Sequence, residues 1–252
     1  MTSAAFYDRP LGAALSAMGR LADLGEIFSD GPHGLLEPAN LAAAQGAVAA
    51  GLRLSVHGPF IESSPASLDE ARRRAAVESH RRHLEAAAAF GAVCYVVHPD
   101  YSIEPRPRDP TRVAAMRTTI AELTELQRGL GVPIAIENLL AGHSVFAAPG
   151  ELDLGELGFV LDTGHATISG TFQAFVTAPC ARLVHVHLQD NRGPVDDDDP
   201  HRPLGTGVVD AAAVLSTARA ARATVILELL NEADLLASID WLDDQQLLSP
   251  AG

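Results

Sequence analysis

Gly158-Phe-Val-Leu-Asp162-Thr-Gly-His165 reads as a short apolar run that stops on a carboxylate and an imidazole. The next run of this kind, Leu183-Val-His-Val-His187-Leu188, leads through Gln189 and Asp190 to Asp199-Pro-His201 and the glycines at 205 and 207. Both runs have the length and the β-branched content of strands, so their polar residues should leave strand ends and face a common mouth. The pattern recurs along the chain. Candidate strands lie at Ala4–Tyr7, Leu24–Phe28, Leu52–His57, Val93–His98, Ile134–Asn138, Gly158–Asp162, Leu183–Leu188 and Thr224–Leu229, and the segments between them mostly carry helix signals. Parallel neighbours require crossovers, and closing eight strands into a ring leaves no exposed edge. The expected fold is therefore α/β, a single (β/α)8 barrel over residues 1–252 with the site at the C-terminal ends of the strands. An open doubly wound sheet is the alternative, but no GxGxxG follows the first strand.

The helix boundaries carry their own chemistry. Ser67-Leu-Asp-Glu70 reads as a capping box that opens a helix running to Phe90, with Gly91 as the stop. Asp109-Pro110 supplies a cap and a first-turn proline for a helix ending near Gly129 or Gly131. Asp210 caps 211–222, and a last helix covers about 232–248. Side-chain alternation then orients the strands: if Glu137 points inward, Ala135 also faces the barrel and Ile136 faces the helices, and an inward His187 takes His185 with it.

A chain of 252 residues, 47 % of them hydrophobic, can bury a large core. Its formal charge of −14 repels phosphate backbones at long range and disfavours nucleic acid as a partner. All 18 basic residues are arginine, which excludes imine-forming lysine chemistry, pyridoxal phosphate attachment and a P-loop lysine. Cys94 and Cys180 form no metal-binding or disulfide spacing and read as two buried thiols in a reducing cytoplasm. Neither a signal peptide nor a membrane-spanning apolar run is expected, which places the protein in the cytoplasm. Asp196–Asp199 is the one charge run and reads as a solvated loop, except that Asp199 stands two residues before His201.

Glu26, His57, His98, Glu137, Asp162, His187 and Glu228 each stand at or near the end of one strand, from the second to the eighth. Taken singly, a histidine there is a satisfied polar residue as readily as a ligand. Together, Glu137, Asp162, His187 and Glu228 make an open four-ligand site, because such acids in a barrel mouth would be costly without a cation. Carboxylates with imidazoles and no thiolates suit zinc, manganese, cobalt or iron. His57, His98, His165, Asp199 and His201 could hold a second or third ion or could bind substrate, with one ion as the primary expectation.

The order of these residues resembles the xylose-isomerase-like superfamily of TIM barrels, which holds sugar isomerases and epimerases together with endonuclease IV. The phrases that carry the resemblance are Ser55-Val-His57-Gly-Pro-Phe60, Val97-His98-Pro99, Ile136-Glu137-Asn138, Leu161-Asp162-Thr-Gly-His165-Ala166, Val186-His187-Leu-Gln-Asp190-Asn191, Asp199-Pro-His201-Arg-Pro-Leu-Gly205-Thr-Gly207 and Leu227-Glu228. They span nearly the whole chain. The resemblance implies that Glu137, Asp162, His187 and Glu228 hold one divalent ion, as in the isomerases and epimerases. In endonuclease IV nine residues hold three zinc ions, and all nine have counterparts here: that quartet with His57, His98, His165, Asp199 and His201.

The expected function is a metal-dependent isomerase or epimerase of a small sugar or related polyhydroxy carbonyl compound. Lewis polarisation would acidify the α-carbon proton, which Glu137 and Glu228 would take and return through an enediolate. His165 and Arg192 could bind hydroxyls, Arg192 being equally readable as a solvated loop residue. Phe60 could line a sugar pocket or stack on a base, or pack in the core. Glu26 is a substrate contact, a support for the ligands, or a buried carboxylate paired with an arginine. The alternative function is a multi-zinc phosphodiester hydrolase like endonuclease IV; against it stand the acidity, the missing lysines and the short loops. A binding module that has lost catalysis is disfavoured by the intact acids. The expected partner is a small sugar, with no membrane and a homo-oligomer left open.

Overall fold

The computed structural model describes residues 1–61, 63–177, 182–196 and 199–248. Seven strands follow one another in a parallel sheet: β1 (Leu24–Phe28), β2 (Arg53–His57), β3 (Tyr95–Val97), β4 (Ile134–Glu137), β5 (Gly158–Asp162), β6 (Leu183–Leu188) and β7 (Thr224–Leu227). The helices between and around them are α1 (Leu11–Met18), α2 (Pro38–Ala49), α3 (Glu70–Ala88), α4 (Pro110–Leu130), α5 (Thr163–Ile168), α6 (Phe172–Thr177), α7 (Ala211–Ala221) and α8 (Glu232–Asp244).

The expected first strand is the exception. Ala4–Tyr7 does not extend; Ser3–Phe6 forms a 3-10 turn whose first amide, that of Ala4, donates to the Thr2 hydroxyl. The turn wins because Thr2 caps it and Phe6 is driven into the core, where it is fully buried. Closure falls to the two residues before the turn: Thr2 N donates to Leu227 O at 3.1 Å on the β7 side, and Glu26 N donates to Met1 O at 2.9 Å on the β1 side. The barrel is thus seven strands with a single-bridge seam in place of the eighth.

Two hydrophobic layers share the chain. A small inner cluster of Cys94, Val96, Ala135 and Val160 fills the barrel, while Ile134, Ile136, Phe159 and Leu161 belong to the larger layer under the helices. The alternation inferred from Glu137 therefore holds on β4. Burial pushes the Cys94 thiol up to about 12 and leaves it inert; Cys180 lies outside the described residues.

Asp109, followed by Pro110, caps α4 through the Thr111 amide, and Gly131 ends it with φ of 72°. Asp210 caps α7. At α3 the cap is Asp69 rather than Ser67, its carboxylate accepting from the amides of Ala71 and Arg72, while the Ser67 hydroxyl accepts from Asp69 N one step earlier. The charged acceptor is the stronger partner for free amides at a helix start. No helix among the described residues is long and apolar enough to cross a membrane.

Candidate metal centre

Register brings the strand-end residues together. β5 and β6 pair Asp162 with His187, and β6 and β7 pair Leu188 with Leu227, which sets Glu228 just above. His187 Nδ1 lies 3.1 Å from Glu228 Oε2, 3.3 Å from Glu137 Oε2 and 4.0 Å from Asp162 Oδ2. All four residues are buried. Glu137 Oε2, Glu228 Oε2 and His187 Nδ1 have no hydrogen-bond partner among the described residues. Three converging, desolvated and unpartnered donors are costly unless a cation satisfies them, so the quartet fits a divalent ion.

The other five predicted ligands flank this centre in two groups. His57 Nε2 lies 3.1 Å from His98 Nε2 and 3.6 Å from Glu137 Oε2, and His98 Nε2 lies 3.3 Å from the same carboxylate oxygen. On the other flank, Asp199 Oδ2 sits 2.9 Å from His201 Nε2 and 3.3 Å from His165 Nε2. His57, His165 and His201 share one device. Each turns Nδ1 to a main-chain carbonyl, of Gly58, Asn138 and Glu228 respectively, and presents Nε2 to its group. Such anchoring fixes the tautomer and the ring plane of a ligand histidine.

Local sequence explains the placement. Asp162 is the cap of α5, accepting from His165 N, and Asn138 clamps its backbone with two bonds, to Asp162 O at 3.1 Å and from Asp162 N at 2.9 Å. Gly164 is required because a Cβ there would meet Gln189 Nε2 at 2.6 Å and Asp199 Oδ1 at 2.8 Å. Asp190 accepts from the amides of Asn191, Gly205, Gly207 and Val209 and exchanges two main-chain bonds with Arg202. It thereby folds back the loop that carries Asp199 and His201.

The electrostatics follow from burial and crowding. Burial raises the Asp162 carboxyl to about 7, with the charges of Asp199, Glu228 and Glu137 acting the same way. Burial would raise Glu137 too, but the imidazoles of His187 and His98 overturn it and hold Glu137 well below the usual carboxylate range. His201, against the pull of burial, is held up at about 10 by Asp199.

Phe60, at the mouth, packs on His98 at 4.9 Å and edge-on to Phe28 at 5.4 Å between ring centres, and Phe28 lies 4.3 Å from the His57 ring. Arg192 stands apart: its side chain is 59 % exposed and its Nε pairs with Asp196 at 3.5 Å. Glu26 is fully buried beneath the quartet and pairs with His185 and His187, not with an arginine. Residues not singled out from sequence also shape the site. Gln189 donates to Asp162 Oδ2 and Asp199 Oδ2, and Asp30 accepts from the amides of Phe60 and Ile61 and so holds the loop after β2. Gln189 had a signal, being the next inward position after His185 and His187.

The comparisons agree with this fold. The model of the xylose isomerase-like TIM barrel family matches residues 26–245. An uncharacterised protein of Methanocaldococcus jannaschii, MJ1311, is 29% identical over 176 residues, covering 65% of this chain and 59% of that protein. A probable endonuclease 4 of Mycobacterium ulcerans is 28% identical over 237 residues, covering 87% of this chain and 89% of its own. The crystal structure of a D-tagatose 3-epimerase-like protein superposes with a TM-score of 0.84 at 25% identity, covering 98% of this chain and 96% of that one.

Proposed function

The chain belongs to the xylose isomerase-like TIM barrels, and from that premise we propose a divalent-metal-dependent isomerase or epimerase of a small sugar or related polyhydroxy carbonyl compound. One observation carries the reading. Glu137 on β4 and Glu228 beyond β7 each turn a buried, unpartnered carboxylate oxygen toward the same imidazole nitrogen, so two bases face one centre from two sides. Glu137, Asp162, His187 and Glu228 would hold the ion, which when bound supplies Lewis polarisation of a carbonyl and its neighbouring hydroxyl. Glu137 and Glu228 then take a proton from the carbon beside the carbonyl and return one. His165 and Gln189 can hold hydroxyls, and Phe28 with Phe60 offers an apolar wall for the C–H face of a sugar. Arg192, paired on an exposed loop, has no part in this scheme.

An uncharged substrate suits the mouth. Arg9, Arg192 and Arg202, on loops, and Arg112, in the first turn of α4, are committed to Glu232, Asp196, Asp196 and Asp100 respectively. With a ketose panel in deuterated water, the product should gain deuterium at the α-carbon. Glu137→Gln and Glu228→Gln should each lower kcat by a factor of about 100 or more. Turnover unchanged in both variants would sink the two-carboxylate mechanism.

A second reading, a multi-ion phosphodiester hydrolase, is favoured by the convergence of all nine candidate ligands into three adjoining groups around a shared Glu137. A duplex containing an abasic site separates the two. We expect no incision above a metal-only control; incision that is lost in His201→Ala would decide for the hydrolase.

A further inference from the structure

Below the candidate ion site, on the barrel axis, lies a buried array that proton transfer does not use. Glu26 Oε1 is 3.1 Å from His187 Nε2, and Glu26 Oε2 is 3.0 Å from His185 Nε2. Ser55 Oγ donates to Glu26 Oε2 at 3.0 Å, and the far nitrogen of His185 meets the Thr224 hydroxyl. Glu26, His185 and His187 are fully buried. We infer that Glu26 is a positioning residue for the metal centre: held in place by hydrogen bonds from His185 and Ser55, its carboxylate sets Oε1 3.1 Å from His187 Nε2 and so favours the imidazole form that keeps hydrogen there and presents Nδ1 to the ion.

The logic is one of counting donors and acceptors. An ionised carboxylate only accepts, so His185 donates Nε2–H to Oε2, and the approach of Oε1 to His187 Nε2, close but off the line of a hydrogen bond, favours hydrogen rather than a lone pair on that nitrogen. For His187 that leaves Nδ1 as the lone-pair nitrogen, and Nδ1 is the atom that faces Glu137, Asp162 and Glu228. Three of the four flanking imidazoles, those of His57, His165 and His201, are anchored the other way round, through Nδ1 on main-chain carbonyls. His187 differs from them in having the Glu26 carboxylate, rather than a main-chain carbonyl, against the nitrogen turned away from the ion site. Glu26, His185 and His187 also lie close enough to hold an ion themselves. Ser55 and Thr224 already hydrogen-bond Glu26 Oε2 and the far nitrogen of His185, the outer positions of that group.

This inference rests on the metal reading above, and the test keeps the two apart. Zinc dissociation constants are measured by competition with a chromophoric chelator for the wild type, Glu26→Gln, His185→Asn and His187→Ala. In parallel, imidazole N–H protons are followed by nitrogen-15 NMR. Gln is isosteric but offers one acceptor and one donor, so it can serve only one imidazole. We expect Glu26→Gln to weaken zinc about 10–100-fold, and His185→Asn to weaken it less. Two exchange-protected Nε2–H signals in the wild type should fall to at most one in Glu26→Gln. Unchanged zinc affinity in a folded Glu26→Gln, or persistence of both signals, overturns the positioning role while leaving the metal reading intact. Wild-type protein that binds zinc no better than His187→Ala overturns both.

Discussion

Asp162 and His201 make the metal-free protein sensitive to alkali. Burial lifts Asp162 to about 7, and Asp199 holds His201 at about 10, so both folded values exceed the unfolded ones. A group raised in this way contributes stability that is complete below its unfolded value and is lost as pH rises through its folded value. Glu26, Glu137 and Asp199 are depressed, despite burial, by the imidazoles around them, and their contribution is lost in the opposite direction, on acidification. Chelator-treated protein should therefore have its highest Tm on the acid side of neutrality, with the Asp162 contribution spent by about pH 7 and the His201 contribution lost from there to about pH 10. Bound zinc replaces the protons, so zinc-saturated protein should hold its Tm across that range. Differential scanning calorimetry with and without zinc is the check; a chelated protein whose Tm stays level or climbs from pH 7 to 10 would contradict this account. At this scale the sequence showed which residues gather, but not which nitrogen or oxygen each presents. His57 and His187 look alike in a strand-end motif and use opposite ring nitrogens, because one finds a carbonyl and the other finds Glu26.

The loop from β6 to α7 is the element on which the site depends most. Its return is fixed by one carboxylate, Asp190, and by two glycines with no room for a side chain. Gly205 has φ of 83°, and a Cβ on it would run into the Trp241 indole; one on Gly207 would run into the Asn191 carbonyl and the Asp190 carboxylate. Gly205→Ala should cost about 3 kcal/mol, close to ~10 °C in Tm for a chain of this length. Asp190→Ala should cost at least as much, by stranding the amides of Gly205, Gly207 and Val209. Both variants should also weaken zinc binding at the centre that Asp199 and His201, carried on this loop, flank. Normal thermal stability in either would show that the loop is held elsewhere. The helix signals were read well where a charged side chain met free amides, as at Asp109 and Asp210. Ser67 does not cap α3, because Asp69, a stronger acceptor, lies within the same box.

For the whole molecule, closure hangs on a thin seam. Thr2 is the only bridge joining β1 to β7 among the described residues, and Phe6 anchors it from the core. A chain lacking residues 1–7 should lose its cooperative thermal transition and its zinc binding together, since Glu26 stands on β1 and Glu228 directly follows β7, the two strands the seam joins. A truncated protein that melts sharply within a few degrees of the full chain would show that seven strands close without help. The acidity belongs to this scale as well. A charge of −14 with every cation an arginine, several of them already paired at the mouth, suits an uncharged sugar better than a polyanion.

The alternation of apolar runs and helix signals determined the parallel barrel. The recurrence of one ligand-type residue per strand end determined where these residues gather, because strand period and chain direction place them on one face whatever the packing details. Tertiary structure decided what depends on contacts distant in sequence. It made a 3-10 turn of Ala4–Tyr7, since Thr2 and the buried Phe6 outweigh a weak local strand preference. It sent Arg192 to Asp196 on an exposed loop and set Glu26 between two histidines rather than beside an arginine. Those outcomes are choices among partners, and a partner across the barrel is fixed only when the ring closes.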